Sequence, residues 1–129
     1  MSAPSWDNFW RNTGKKSEMP CFGNQTDILK KCWQQQFENI VLPTNARVVD
    51  VAAGDGTLLH DLITYLDVQR TLDGKTFYAT DYSASACSEA ASRNQCIQSL
   101  CTDSARLPFQ DNSIDLIISQ YGIEYSGEE

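Results

Sequence analysis

The chain has 129 residues, with ten Lys and Arg against seventeen Asp and Glu, one His and a formal net charge of −7. That length suits one compact domain, and 41% apolar residues with no apolar run near the ~20 that a bilayer span needs argue against disorder and a membrane helix. The acidic balance argues against nucleic acid as the main partner, because such binders concentrate Lys and Arg, whereas the basic doublets here are only Lys15–Lys16 and Lys30–Lys31.

The first 25 residues set Trp6, Phe9, Trp10 and Phe22 among Gly14, Pro20, Gly23 and Asn24, with no sustained period. Their start has neither the charged nor the apolar region of an export signal. A helix is predicted from Thr26 to Val41, where Ile28, Leu29, Cys32, Trp33, Phe37, Ile40 and Val41 fall on one stripe. Pro43 and Asn45 end it, so the helical segment spans 26–43. Arg47–Ala52 then reads as a strand, Ala53–Gly56 as a turn and Thr57–Leu66 as an amphipathic helix through Leu58, Leu59, Leu62, Ile63 and Leu66. After the Asp73-Gly74 turn come a strand at Thr76–Thr80, an Ala-rich helix at Ser83–Arg93 and a strand at Gln98–Thr102. A loop over Ser104–Ser113 leads to a fourth strand, Ile114–Gln120. Strands alternating with helices predict an α/β fold on a mostly parallel sheet. The unbroken Leu116-Ile117-Ile118 run predicts a strand buried on both faces.

Five cysteines form no C-x-x-C pair and read as reduced thiols of a cytoplasmic protein. The single histidine, His60, reads as a surface or capping group, and Asp55, His60 and Asp61 lack metal-ligand spacing. No metal is expected.

The stretch Val48-Val49-Asp50-Val51-Ala52-Ala53-Gly54-Asp55-Gly56-Thr57 carries the chemistry. A buried strand meets a glycine turn and a helix begins at once, so backbone can approach a ligand closely and free N–H groups face it. A tight strand-to-helix connection would use the same residues. Asp50 precedes the turn, Asp81 closes the second strand and Asp103 the third. In a parallel sheet those strand ends line one crevice. Carboxylates there suit a cationic, nucleoside-like ligand with an amine, a ribose diol and an exocyclic amino group. Each of them also suits a helix cap.

Together these features resemble the class I S-adenosylmethionine-dependent methyltransferases, over about Trp6 to Tyr125. Asp50-Val51-Ala52-Ala53-Gly54-Asp55-Gly56 is similar to the family's first motif, Asp81-Tyr82-Ser83 to its second and Thr102–Phe109 to its third. Asp111–Gln120 resembles the fourth strand, which ends near the transferable methyl. The resemblance implies a Rossmann-like sheet of order 3-2-1-4 with an N-terminal helical cap. Residues 1–25 would form a lid or arm, and 46–125 the core. It also implies S-adenosyl-L-methionine as cofactor. Asp50 would face its methionine amino group, and the backbone of Ala52, Ala53 and Gly54 would pass beside it. Asp81 would bond the ribose hydroxyls, Tyr82 would flank the adenine, Asp103 and Ser104 would meet the adenine amino group, and Gln120 would lie toward the methyl. Ala52 stands where the family often has glycine, and is expected to be tolerated with ordinary dihedrals.

The family continues beyond the fourth strand, so Ile114–Gln120 is expected at an open edge, paired with a second copy or another chain. The resemblance implies a methyltransferase acting on a small-molecule acceptor, with no catalytic side chain assigned. A catalytically silent cofactor-binding or partner-binding module is the alternative. A nicotinamide-dependent oxidoreductase fits less well, since the full G-x-G-x-x-G spacing is absent. Tyr121, Glu124 and Tyr125 stand where a substrate would approach, or belong to a helix start or a frayed tail.

Overall fold

The run Arg47–Val51 is rich in β-branched residues and buried at four of its five positions, and it forms the inner strand β1. In this computed structural model residues 26–120 are described. The aromatic segment 1–25 and the residues Tyr121, Glu124 and Tyr125 lie outside them. The elements run α1 (Thr26–Glu38), β1 (Arg47–Val51), α2 (Thr57–Val68), β2 (Thr76–Asp81), α3 (Ala84–Arg93), β3 (Ile97–Cys101) and β4 (Leu116–Ile118). The sheet order is β3-β2-β1-β4, every pair parallel. The fold is therefore α/β in the expected 3-2-1-4 order. The chain steps from β1 to β2 and β3 on one side and returns to place β4 on the other. That reversal opens a crevice at the carboxyl ends of β1 and β4.

Alternate strand residues build the core. Val48, Phe77, Ala79, Ile97 and Ile118 point to one face and cluster with Leu59, Leu62, Ile63 and Leu66 of α2, Ala90 of α3 and Phe37 of α1. Burying each large side chain in that cluster contributes about 1.5–3 kcal/mol. All three described helices thus contribute to a single face. Phe37 stacks between Trp33, at 6.1 Å, and Tyr65 of α2, at 5.7 Å between ring centroids.

Two expectations are corrected. Helix α1 stops at Glu38, not Val41. Asn39 N–H donates to Gln36 C=O at 3.0 Å and Ile40 N–H to Phe37 C=O at 3.2 Å, so the last turn tightens. Pro43 then holds Leu42 out of the helical region. Val41 is left 93% exposed, and Ile28 and Cys32 are exposed too, because α1 meets the core mainly through its last turns. Strand β4 is also shorter than expected, and it is not buried on both faces. Ile118 is buried and Leu116 half-buried, but Ile117 is 56% exposed. Ile117 pairs with Val49 on the face opposite the helix cluster, where no described helix lies over it.

Candidate functional site

The chain leaves β1 through three left-handed residues: Ala52 at φ 55°, Gly54 at 59° and Gly56 at 81°. The ordinary dihedrals expected for Ala52 are not observed. A left-handed L-residue costs about 1–2 kcal/mol, so this alanine carries strain that glycine would not. The turn is held by Ala53 N–H donating to Thr80 C=O at 2.9 Å and Gly56 N–H to Ala53 C=O at 3.1 Å.

The two glycines do different work. A Cβ on Gly56 would stand 2.9 Å from Ala90 Cβ, so this position is bare because α3 packs directly on the turn. Gly54 instead aims its N–H at Asp81 Oδ2, 2.8 Å away. Asp55, between them, is buried and fully engaged. Its Oδ1 accepts from Thr57 N–H at 3.1 Å and from Thr57 Oγ1 at 2.6 Å, at the first residue of α2, whose N-cap is Gly56. Its Oδ2 meets Arg93 Nη2 at 3.1 Å, and its carbonyl accepts from Arg93 Nε at 2.8 Å.

Asp50 is the opposite case. It is 1% exposed, on the core face of β1 beneath the first turn of α2. Its Oδ2 is buried and has no hydrogen-bond partner among the described residues. Burial raises its pKa well above the usual carboxylate range, and the Asp81 and Asp55 charges push the same way. The Leu59 backbone N–H at the start of α2 opposes them.

Asp81 closes β2. Its Oδ2 accepts from Gly54 as above, its Oδ1 from Ser83 N–H at 2.9 Å, and its carbonyl from Thr102 N–H at 2.8 Å. Ser83 caps α3 by accepting from Ala86 N–H at 3.2 Å, while Tyr82 between them is half-buried. Val51 pairs with Thr80 and Asp50 with Ile118, so one residue past the first pair and two past the second bring Ala52, Asp81 and Gln120 to one level at the rim. Gln120 Oε1 accepts from Trp33 Nε1, which ties α1 to the rim. Ser119 Oγ donates to Val51 C=O at 2.8 Å.

Asp103 and Ser104 follow β3 in the next loop and are half-buried. Asp103 Oδ1 accepts from Ala105 N–H, and its carbonyl from Arg106 N–H, both at 2.9 Å, so it organises its own turn. The fold therefore gathers Asp50, Ala52, Ala53, Gly54, Asp81 and Gln120 around the end of β1, with Tyr82 beside them. It sets Asp103 and Ser104 on the adjoining loop. Sequence reasoning missed the rim position of Trp33, whose helical spacing marks core and nothing more. It also missed the bolt from Asp55 to Arg93, separated by 38 residues.

Among the described residues no group of three or more His, Cys, Asp or Glu side chains could hold a metal ion. His60 Nδ1 lies 3.2 Å from Asn94 Nδ2, linking α2 to the end of α3. No described helix is long and apolar enough to cross a membrane.

Comparison with known proteins agrees with this architecture. A methyltransferase-domain family model matches residues 48–129, well over half of the chain. No match is found among curated proteins. Among solved structures, the chain is similar to a Haloferax volcanii methyltransferase seen in complex with the Trm112 methyltransferase activator. There the TM-score is 0.67 at 20% identity, covering 95% of this chain and 50% of that one. It is similar to Haemonchus contortus phosphoethanolamine N-methyltransferase 1 in complex with phosphoethanolamine and S-adenosylhomocysteine. That TM-score is 0.66 at 24% identity, over 98% of this chain and 28% of that one. A methyltransferase from Thiobacillus denitrificans in complex with S-adenosyl-L-homocysteine gives a TM-score of 0.54 at 16% identity, over 85% and 39% of the two chains. The chain thus spans half or less of the length of these relatives. With its motif-bearing strands in this order and the family model matching from β1 onward, the chain belongs to the methyltransferase-domain family and has the class I, S-adenosylmethionine-dependent methyltransferase fold.

Proposed function

We propose that the rim binds S-adenosyl-L-methionine and that the domain serves methyl transfer to a small-molecule acceptor. The observation that carries this reading is Asp50 Oδ2, buried with no hydrogen-bond partner among the described residues, below a turn that exposes backbone to a ligand. A lone buried carboxylate oxygen is costly unless a cation or donor reaches it, and the cofactor's ammonium is such a group. Asp50 is its counter-charge, and Ala52, Ala53 and Gly54 supply the backbone wall. Asp81, pre-oriented by Gly54 and Ser83, receives the ribose hydroxyls. Tyr82 flanks the base, Asp103 and Ser104 face its amino edge, and Gln120 closes the side toward the methyl.

When bound, the cofactor supplies a methyl group on a positively charged sulfur. The chain's part is to bind, orient and exclude water, and positioning alone can carry a large share of such a barrier. Small-molecule acceptors are supported by the phosphoethanolamine held in the Haemonchus structure. The net charge of −7 gives little support to a nucleic-acid acceptor. The exposed Ile117 on β4, at an edge that no described strand pairs, favours a second chain pairing along β4, another copy or a partner chain. Sedimentation showing only monomer at micromolar concentration would remove that partner. The cysteines read as reduced thiols, in keeping with a cytoplasmic setting.

Calorimetric titration with S-adenosylmethionine and with NAD tests the cofactor, and binding of NAD alone overturns the reading. Asp81→Ala should weaken cofactor binding by about 2 kcal/mol, roughly thirtyfold in Kd, as expected for lost hydrogen bonds to a charged group. A second reading is a cofactor-binding or partner-binding module without turnover. Formation of S-adenosylhomocysteine with candidate acceptors decides between the two.

A further inference from the structure

Two thiols meet behind the Asp81–Tyr82 turn. Cys87 lies on α3, one turn past the Ser83 cap, and Cys101 is the last residue of β3, in register with Asp81. Cys87 Sγ donates to Asp81 C=O and Cys101 Sγ to Tyr82 C=O, each at 3.6 Å. Consecutive carbonyls therefore hold the two thiols side by side. They differ in access: Cys87 is buried, whereas Cys101 is exposed.

We propose that Cys101 and Cys87 form a dithiol oxidation site, in which a peroxide converts the pair to an intramolecular disulfide that disturbs the Asp81–Tyr82 turn. The accessible partner reacts first. The Cys101 sulfur attacks one peroxide oxygen, the O–O bond breaks, and a sulfenic acid and one water form. The Cys87 sulfur then attacks the sulfenic sulfur, the S–O bond breaks, and the hydroxyl leaves with the Cys87 proton as a second water. Two thiols lose two electrons and two protons in all, and hydrogen peroxide gains both. Burial pushes the Cys87 thiol up to about 12, with the neighbouring Cys101 and Asp81 adding to it, so Cys87 resolves and does not initiate.

The disulfide would take away both S–H donors from the carbonyls of Asp81 and Tyr82. That coupling to the cofactor rests on the reading above; the oxidation itself does not. The test uses the full chain with Cys21→Ser, Cys32→Ser and Cys96→Ser, leaving only this pair, treated with hydrogen peroxide. Intact mass should fall by two hydrogen atoms, with peptide mapping joining Cys87 to Cys101 and dithiothreitol restoring the reduced mass. Added oxygen on Cys101, a disulfide between chains, or an unchanged mass overturns the site. A companion carrying Cys87→Ala should accumulate oxygen on Cys101, which separates loss of the resolving thiol from misfolding. The oxidised chain should bind S-adenosylmethionine about tenfold more weakly, the worth of one hydrogen bond. Equal affinity in both redox states overturns the coupling. Failure of the reduced chain to bind at all overturns the cofactor reading and leaves the disulfide result standing.

Discussion

Asp50 and Asp55 are both buried acids at the same strand-to-helix junction, yet their surroundings are opposite. Asp55 has Thr57 and an arginine to bond with and a packed glycine beside it. Asp50 has an oxygen with no described partner and a pKa pushed up by burial and by its acidic neighbours. The difference separates structure from recognition within a few residues. One side of the turn is saturated with internal contacts and holds α2 and α3 in place. The other is left unsatisfied and strained, as Ala52 also is, and unsatisfied polarity is what a ligand can complete.

The largest effect should come from the saturated side. Arg93→Leu strands the buried Asp55 charge, and stability in urea should drop by about 3 kcal/mol, as for a broken buried pair. A loss below 1 kcal/mol would mean that Thr57 alone satisfies Asp55. Gly56→Ala meets both the positive φ and the Ala90 contact, so about 2 kcal/mol should be lost. Pairing it with Ala90→Gly should return part of that loss, and no recovery would show that the dihedral alone decides.

On the unsatisfied side the signs reverse. A carboxyl whose pKa is raised on folding favours the native state at pH below its unfolded value. That contribution is lost as pH climbs through the folded value. Stability of the native chain should therefore decline from acid toward neutral pH. Asp50→Asn should flatten the decline and raise stability at neutral pH by about 1 kcal/mol, the lower range for relieving an unsatisfied buried group. The same change should weaken S-adenosylmethionine binding. Urea unfolding across pH, with calorimetry, checks both halves; a destabilised variant with intact affinity would place Asp50 on the structural side. The smallest effect is Ala52→Gly, where relief of the left-handed strain exceeds the entropy glycine adds, for a net gain of about 0.5 kcal/mol in thermal unfolding.

Local pattern accounts for the order of elements and for the acids at the strand ends. The β-branched run at Val48–Val51, the leucine stripe of α2 and the Asp73-Gly74 turn each follow from chemistry within a few residues. Periodicity could not say where a stripe stops meeting the core. Val41 and Ile28 continue the apolar spacing of α1 into solvent, and Ile117 continues that of β4. Those outcomes depend on which elements lie overhead, and local spacing does not carry that information.

The same limit runs through the site. That Asp50, Asp81 and Asp103 stand near strand ends was readable from the chain, because a strand's end is marked by its own neighbours. That Asp55 pairs with Arg93, that Gly56 is bare for Ala90 and that Cys87 and Cys101 sit on consecutive carbonyls of the Asp81–Tyr82 turn all required the parallel register. Each is a contact between residues remote in sequence, set by how β1, β2 and β3 align and how α3 lies across them. Secondary structure is encoded in the spacing of side chains along the chain. Which buried acid is satisfied and which is left for a ligand is fixed only when the strands are laid side by side.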